Sequence, residues 1–142
     1  MKKIILLTLS IIGCFKANAL TKNHNDYIQY AKDGDLIFQT DVGTVQGHAI
    51  QLATLSKYNH VGVVSVEKSG VYVYEAIGKV TKTKIQDFTS RKTSLGRFVV
   101  YRHKDVNKKS GEKVVRNAAK FLGKRYDPYL RWSNDRMYCS EL

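Results

Sequence analysis

His60-Val61-Gly62-Val63-Val64-Ser65-Val66-Glu67-Lys68-Ser69-Gly70-Val71-Tyr72-Val73-Tyr74-Glu75-Ala76-Ile77 is the stretch that decides the fold. Two runs rich in valine and tyrosine flank Lys68-Ser69-Gly70, a pattern that predicts a β-hairpin. With Val66 opposite Val71, Gly62 falls opposite Glu75 and His60 opposite Ile77. Opposed residues of an antiparallel pair share a face, as do residues two apart on one strand. His60 and Glu75 therefore become diagonal neighbours on one face, with Cβ atoms roughly 7 Å apart or less. Gly62 has no side chain to keep them apart. A one-residue slip in the turn at Ser69 would move Glu75 to the opposite face, and the turn composition leaves that register open. A carboxylate among Tyr74, Ala76 and Ile77 needs a partner. His60 is the nearest on this register, and Lys79 is the alternative at the strand end.

Outward from the hairpin, residues 30–35 read as a turn, with Asp35 placed to tie down its amides. A short buried strand follows at 36–39. A helix is predicted from about residue 48 to 57, with Ile50, Leu52, Ala53 and Leu55 on a broad apolar side. Residues 78–84 continue outward from the hairpin, and 86–88 begin a short helix or turn. Residues 97–102 form a third strand. Val114, Val115, Ala118, Ala119, Phe121 and Leu122 are spaced for a helix over 111–122, with Ser110 as N-cap and Gly123 just past the end. No internal repeat or domain linker interrupts the chain. These elements predict one α+β domain, a small antiparallel sheet with flanking helices.

Met1-Lys2-Lys3, the apolar run 4–12 and Ala17-Asn18-Ala19 have the pattern of a secretory signal peptide over residues 1–19, which leaves 20–142 as the mature domain. Ile11-Ile12-Gly13-Cys14 also resembles a lipobox, so lipid attachment at Cys14 is a second processing route. The protein is thus expected to be exported to the periplasm or cell envelope. With 24 Lys and Arg against 12 Asp and Glu, the formal net charge of +12 implies anionic neighbours. For an exported chain those are phospholipid headgroups or acidic wall polymers rather than nucleic acid. His24, His48, His60 and His103 lack compact metal-ligand spacing, and no metal or other cofactor is expected. Oligomeric state is not legible.

Removal of the leader leaves Cys139 as the only cysteine, within Tyr138-Cys139-Ser140-Glu141. A single cysteine forms no internal disulfide. It is either a small buried hydrophobe or a group kept for chemistry. A thiol, an imidazole and an orienting carboxylate are what cysteine nucleophilic catalysis needs, and His60 and Glu75 supply the latter two. Two other readings stay open: a non-catalytic basic module binding an envelope polymer or membrane, and an inactive homologue.

Several stretches together resemble the YiiX/YaeF group of permuted papain-like cysteine hydrolases, in the NlpC/P60 superfamily. They are Gly34-Asp35-Leu36-Ile37-Phe38-Gln39, Ile50-Gln51-Leu52-Ala53-Thr54, Tyr58-Asn59-His60-Val61-Gly62, Tyr74-Glu75-Ala76, Leu122-Gly123-Lys124-Arg125-Tyr126-Asp127 and Tyr138-Cys139-Ser140-Glu141. The resemblance implies a circularly permuted papain-like fold, with Cys139 as nucleophile, His60 as base and Glu75 as the carboxylate that orients it. It implies cleavage of an amide or related acyl bond in a peptide, lipid or other acyl substrate of the envelope. It also implies a helix beginning at the cysteine. Only Ser140, Glu141 and Leu142 follow, so the domain is expected to be incomplete at its C-terminus.

Overall fold

The structure, a computed structural model, describes residues 27–40, 44–91, 98–131 and 135–142. The expected leader at 1–19, with Cys14, lies outside the described residues. In chain order the elements are β1 (Leu36–Gln39), α1 (Val45–Thr54), β2 (His60–Glu67), β3 (Gly70–Ile77), β4 (Lys79–Lys84), α2 (Ile85–Thr89), β5 (Phe98–Tyr101), α3 (Lys108–Ala119), β6 (Arg125–Tyr126) and β7 (Arg136–Met137). A single 3-10 turn, Cys139–Glu141, closes the series. The strands form one sheet in the order β5-β1-β2-β3-β4-β6-β7, antiparallel except for the β6–β7 pair. The expected α+β class and flanking helices are thus present. Among the described residues no helix is long and apolar enough to cross a membrane.

The β2–β3 hairpin has the register that sequence pairing predicts: Val66 faces Val71 and Gly62 faces Glu75. The sheet buries both faces. Val64, Val71 and Val73 pack with Tyr27, Ile37, Ile85, Phe88 and Val100 under α2, whereas Val63 and Tyr74 pack against Ala118 of α3. Glu75 has the parity of Val73, so it points to the α2 face. Residues 79–84 do not simply lead away from the hairpin. Gly78, at φ +66°, turns the chain back, and β4 pairs along β3 with Glu75 opposite Thr81.

Two local expectations are corrected. The helix read over 111–122 begins at Lys108, because Asn107 and not Ser110 is its cap. The Asn107 side chain accepts from the Ser110 N–H at 3.0 Å, and the Ser110 hydroxyl accepts from the Asn107 N–H at 2.9 Å. Gly111 therefore lies inside the helix, where its backbone meets the turn at Asp33 and Gly34 without room for a Cβ. The helix read from about residue 48 starts at Val45, capped by Thr44, and its apolar side is not core: Leu52 is 77% and Leu55 94% exposed. Tyr27, ahead of the turn at 30–35, is fully buried, with its hydroxyl donating to Asp35 at 2.7 Å. Asp35 does accept the Lys32 amide, but its larger role is a buried ion pair with Arg102 at 2.7 Å.

A Cβ at Gly62 would meet the Val73 side chain and, at 2.8 Å, the Tyr74 carbonyl oxygen, which is fixed in the sheet. Gly62→Ala is therefore expected to cost about 1–3 kcal/mol as overpacking, measured as a lowered urea midpoint. Lys82→Ala, which removes the exposed partner of Glu67, is expected to stay within about 0.5 kcal/mol of the parent.

Candidate active site

Glu75 sits on β3 in the last β2–β3 pair, at the open end of the hairpin, and is fully buried. Its carboxylate is satisfied from three directions. From β2, the Nε2 of His60 bonds Oε2 at 2.7 Å. From β4, the Thr83 hydroxyl donates to Oε1 at 2.5 Å. From the segment after α2, Arg91 donates Nη1–H to Oε2 at 2.8 Å and Nη2–H to Oε1, a two-pronged grip. Phe88 holds both cationic partners. Its ring stacks on His60, with centroids 5.8 Å apart and planes at 24°, and the Arg91 guanidinium lies 4.9 Å from its centroid.

Cys139 follows β7 at the start of the 3-10 turn, which packs against β2 and β3. Glu141 steadies this turn by accepting the Tyr138 N–H at 3.0 Å. The sulfur is half-buried and hydrogen-bonds the His60 side chain and the main chain of Val61 and Ser140. The imidazolium carries a proton on each nitrogen. With Nε2 committed to Glu75, Nδ1 is left for the sulfur. The three residues expected to act together therefore do meet: the imidazole stands between thiol and carboxylate.

The electrostatics follow from this packing. Burial opposes ionisation of Glu75, but bonds from His60, Arg91 and Thr83 outweigh it and bring the carboxyl from 4.5 down to about 2. Burial also disfavours the charged imidazole, yet Cys139 and Glu75 together raise His60 from 6.5 to about 9. The Cys139 thiol is pushed up by burial and, more strongly, down by His60 and the amides, ending below the ordinary thiol range. Burial and the nearby Cys139 and Asp127 push Tyr126 up to about 12. A thiolate facing an imidazolium is a nucleophile paired with a proton donor. A cleft of about 310 Å³ opens beside His60, lined by Gln39, Asn59, His60, Ile77, Arg91 and Tyr126 among others.

Two contributors went unread in the sequence. Thr83 had a legible signal, since it lies two residues beyond Thr81, opposite Glu75, and so shares its face. Arg91 had none: it follows a helix turn and reaches back across 16 residues. Lys79, the alternative partner of Glu75, instead pairs with Ile77 across the hairpin end and is exposed.

Histidine and carboxylate on the central strands, with the cysteine after them in the chain, is the order of a circularly permuted papain-like domain. A model described as "Permuted papain-like amidase enzyme, YaeF/YiiX, C92 family" matches residues 30–142, and the chain belongs to this family. It is 37% identical over 110 residues to YiiX of Escherichia coli K12, covering 77% of this chain and 54% of YiiX. A crystal structure described as that of metalloprotein yiiX from Escherichia coli O157:H7 superposes with a TM-score of 0.70 at 38% identity. That match covers 78% of this chain and 61% of the other. The chain thus spans little more than half the length of these relatives.

The word metalloprotein belongs to that relative. Among the described residues here, no group of three or more His, Cys, Asp or Glu is arranged to hold a metal ion. Both Glu75 oxygens are engaged by Arg91, whose charge repels a dication. This donor set does not fit a metal.

The Glu75 carboxyl is lower in the folded than in the unfolded chain. Its contribution to stability is full above about pH 4.5 and is lost as pH falls through about 2. Urea midpoints measured from pH 6 to pH 2 should therefore fall across that window. Glu75→Gln should lower the midpoint at pH 6 and flatten the decline.

Proposed function

We propose that this chain is a cysteine hydrolase that cleaves an amide or related acyl bond, with Cys139 as nucleophile, His60 as acid–base group and Glu75 as the carboxylate that orients it. The observation that supports this best is His60 held between the Cys139 sulfur and the buried Glu75 carboxylate. The thiolate attacks the carbonyl carbon and forms a tetrahedral intermediate. Collapse breaks the bond to the leaving group, which takes a proton from the imidazolium and leaves a thioester. Water then attacks the thioester as His60 accepts a proton from it, and collapse of that second intermediate releases the acid and expels the sulfur, restoring the thiolate facing the imidazolium. Glu75 keeps its anionic form throughout, holding the ring and its charge in place.

Within this reading residues 1–19 serve as an export leader, and the substrate is a peptide or lipid of the cell envelope. The family's description as amidases supports the bond type. The strongly basic balance suits a substrate held among anionic lipids or wall polymers.

Cys139→Ala should reduce hydrolysis of an acyl p-nitroanilide by at least about 10³-fold, and undiminished turnover would sink the reading. The kcat/KM profile should be bell-shaped, with its acid limb below the ordinary thiol range and its alkaline limb near pH 9, where His60 loses its proton. Iodoacetamide should alkylate Cys139 rapidly at pH 6.5. In His60→Ala the acid limb of alkylation should return to about pH 8.5.

A further inference from the structure

The charges around Glu75 and Cys139 do not balance with three residues. A thiolate, an imidazolium and a carboxylate sum to one negative charge in a site where Glu75 has no exposure and the His60 side chain only 12%. Isolated charge of that kind is costly, and such a cluster takes up a proton instead. The thiol is the weaker acid of the two anions, so it is the group that would be reprotonated. The structure supplies a fourth charge. Arg91 places one N–H on each Glu75 oxygen, while Oε2 also meets His60. Phe88 lies under both cations and fixes their separation.

We propose that Arg91 is a positioning residue of this site. Its two-pronged grip keeps Glu75 ionised and aimed at His60, and its charge lets the Cys139 thiolate and the Glu75 carboxylate coexist. It touches no reacting atom in this role. The inference rests on the thiolate–imidazolium reading of Cys139 and His60, and it names what that pair requires.

The other groups around the pair leave this role to Arg91. Glu75 faces His60 from β2, Thr83 from β4 and Arg91 from beyond α2. Cys139 faces His60, with the phenols of Tyr126 and Tyr138 nearby. Thr83 is neutral, and both phenols are pushed above the ordinary tyrosine value, with burial the first cause for each. They stay uncharged over the range in which thiol and imidazole titrate. Glu141 is on the same turn as Cys139 and is engaged with the Tyr138 amide.

The test is the rate of Cys139 alkylation by iodoacetamide from pH 4 to 10, in the full chain, for wild type, Arg91→Gln and Arg91→Lys. Cooperative urea unfolding identifies the folded variants. In Arg91→Gln the acid limb should move up by at least about one pH unit, so the rate at pH 6.5 falls roughly tenfold or more. Arg91→Lys keeps the charge but cannot engage both oxygens in one plane. Its limb should move in the same direction by less, and it carries the test if the glutamine variant does not fold. A purely structural role would lower the urea midpoint and leave the limb in place, so a folded variant with the wild-type limb overturns the proposal. A wild-type limb already at the ordinary thiol range would instead overturn the underlying thiolate reading, so the two failures are distinguishable.

Discussion

A carboxylate with no access to water is the constraint on which this structure depends. Glu75 lies on the central strand of the sheet, where burial alone would favour its neutral form. It is held ionised by an imidazole from β2, a hydroxyl from β4 and a guanidinium from beyond α2. Removing one partner of such a buried pair leaves a charge without compensation and typically costs about 3–5 kcal/mol. The register of β2 on β3, the reversal at Gly78 that brings β4 alongside, and the packing of Phe88 under the sheet therefore serve one requirement. Each delivers one partner to the same two oxygen atoms.

The parts of this arrangement set by short-range alternation were legible in the sequence. Val66 and Val71 fix the hairpin register, and parity then carries His60 and Glu75 to one face. Gly62 appears in the sequence as a space, and in the structure it is one that Val73 and the Tyr74 carbonyl would deny to any side chain. The partners that depend on chain reversal were not read from the sequence. Thr83 requires knowing that β4 folds back, and Arg91 requires knowing how a five-residue helix directs the chain that leaves it. Lys79 was the nearer cation in sequence, but a tight turn places it across from Ile77.

Errors at the helices have a common cause. Apolar spacing identifies a helix without saying what the apolar side meets. In α3 the spacing meets Val63 and Tyr74, and the helix is core. In α1 similar residues face outward, and only Gly47 is buried. The start of α3 was misplaced because Ser110 is a competent cap in isolation. Asn107 and Ser110 can satisfy each other's amides, and that reciprocal pair prevails.

The position of Cys139 after every strand has a consequence for synthesis. Residues emerge from the ribosome in order, and the strands that surround Glu75 are complete well before β7 is made. The histidine, glutamate and arginine can be assembled on a folded sheet before the sulfur joins them. Within the proposed reading, the nascent domain therefore passes through a stage that is structured but chemically silent. In that reading, the site is complete only once the turn that carries Cys139 has docked on β2 and β3.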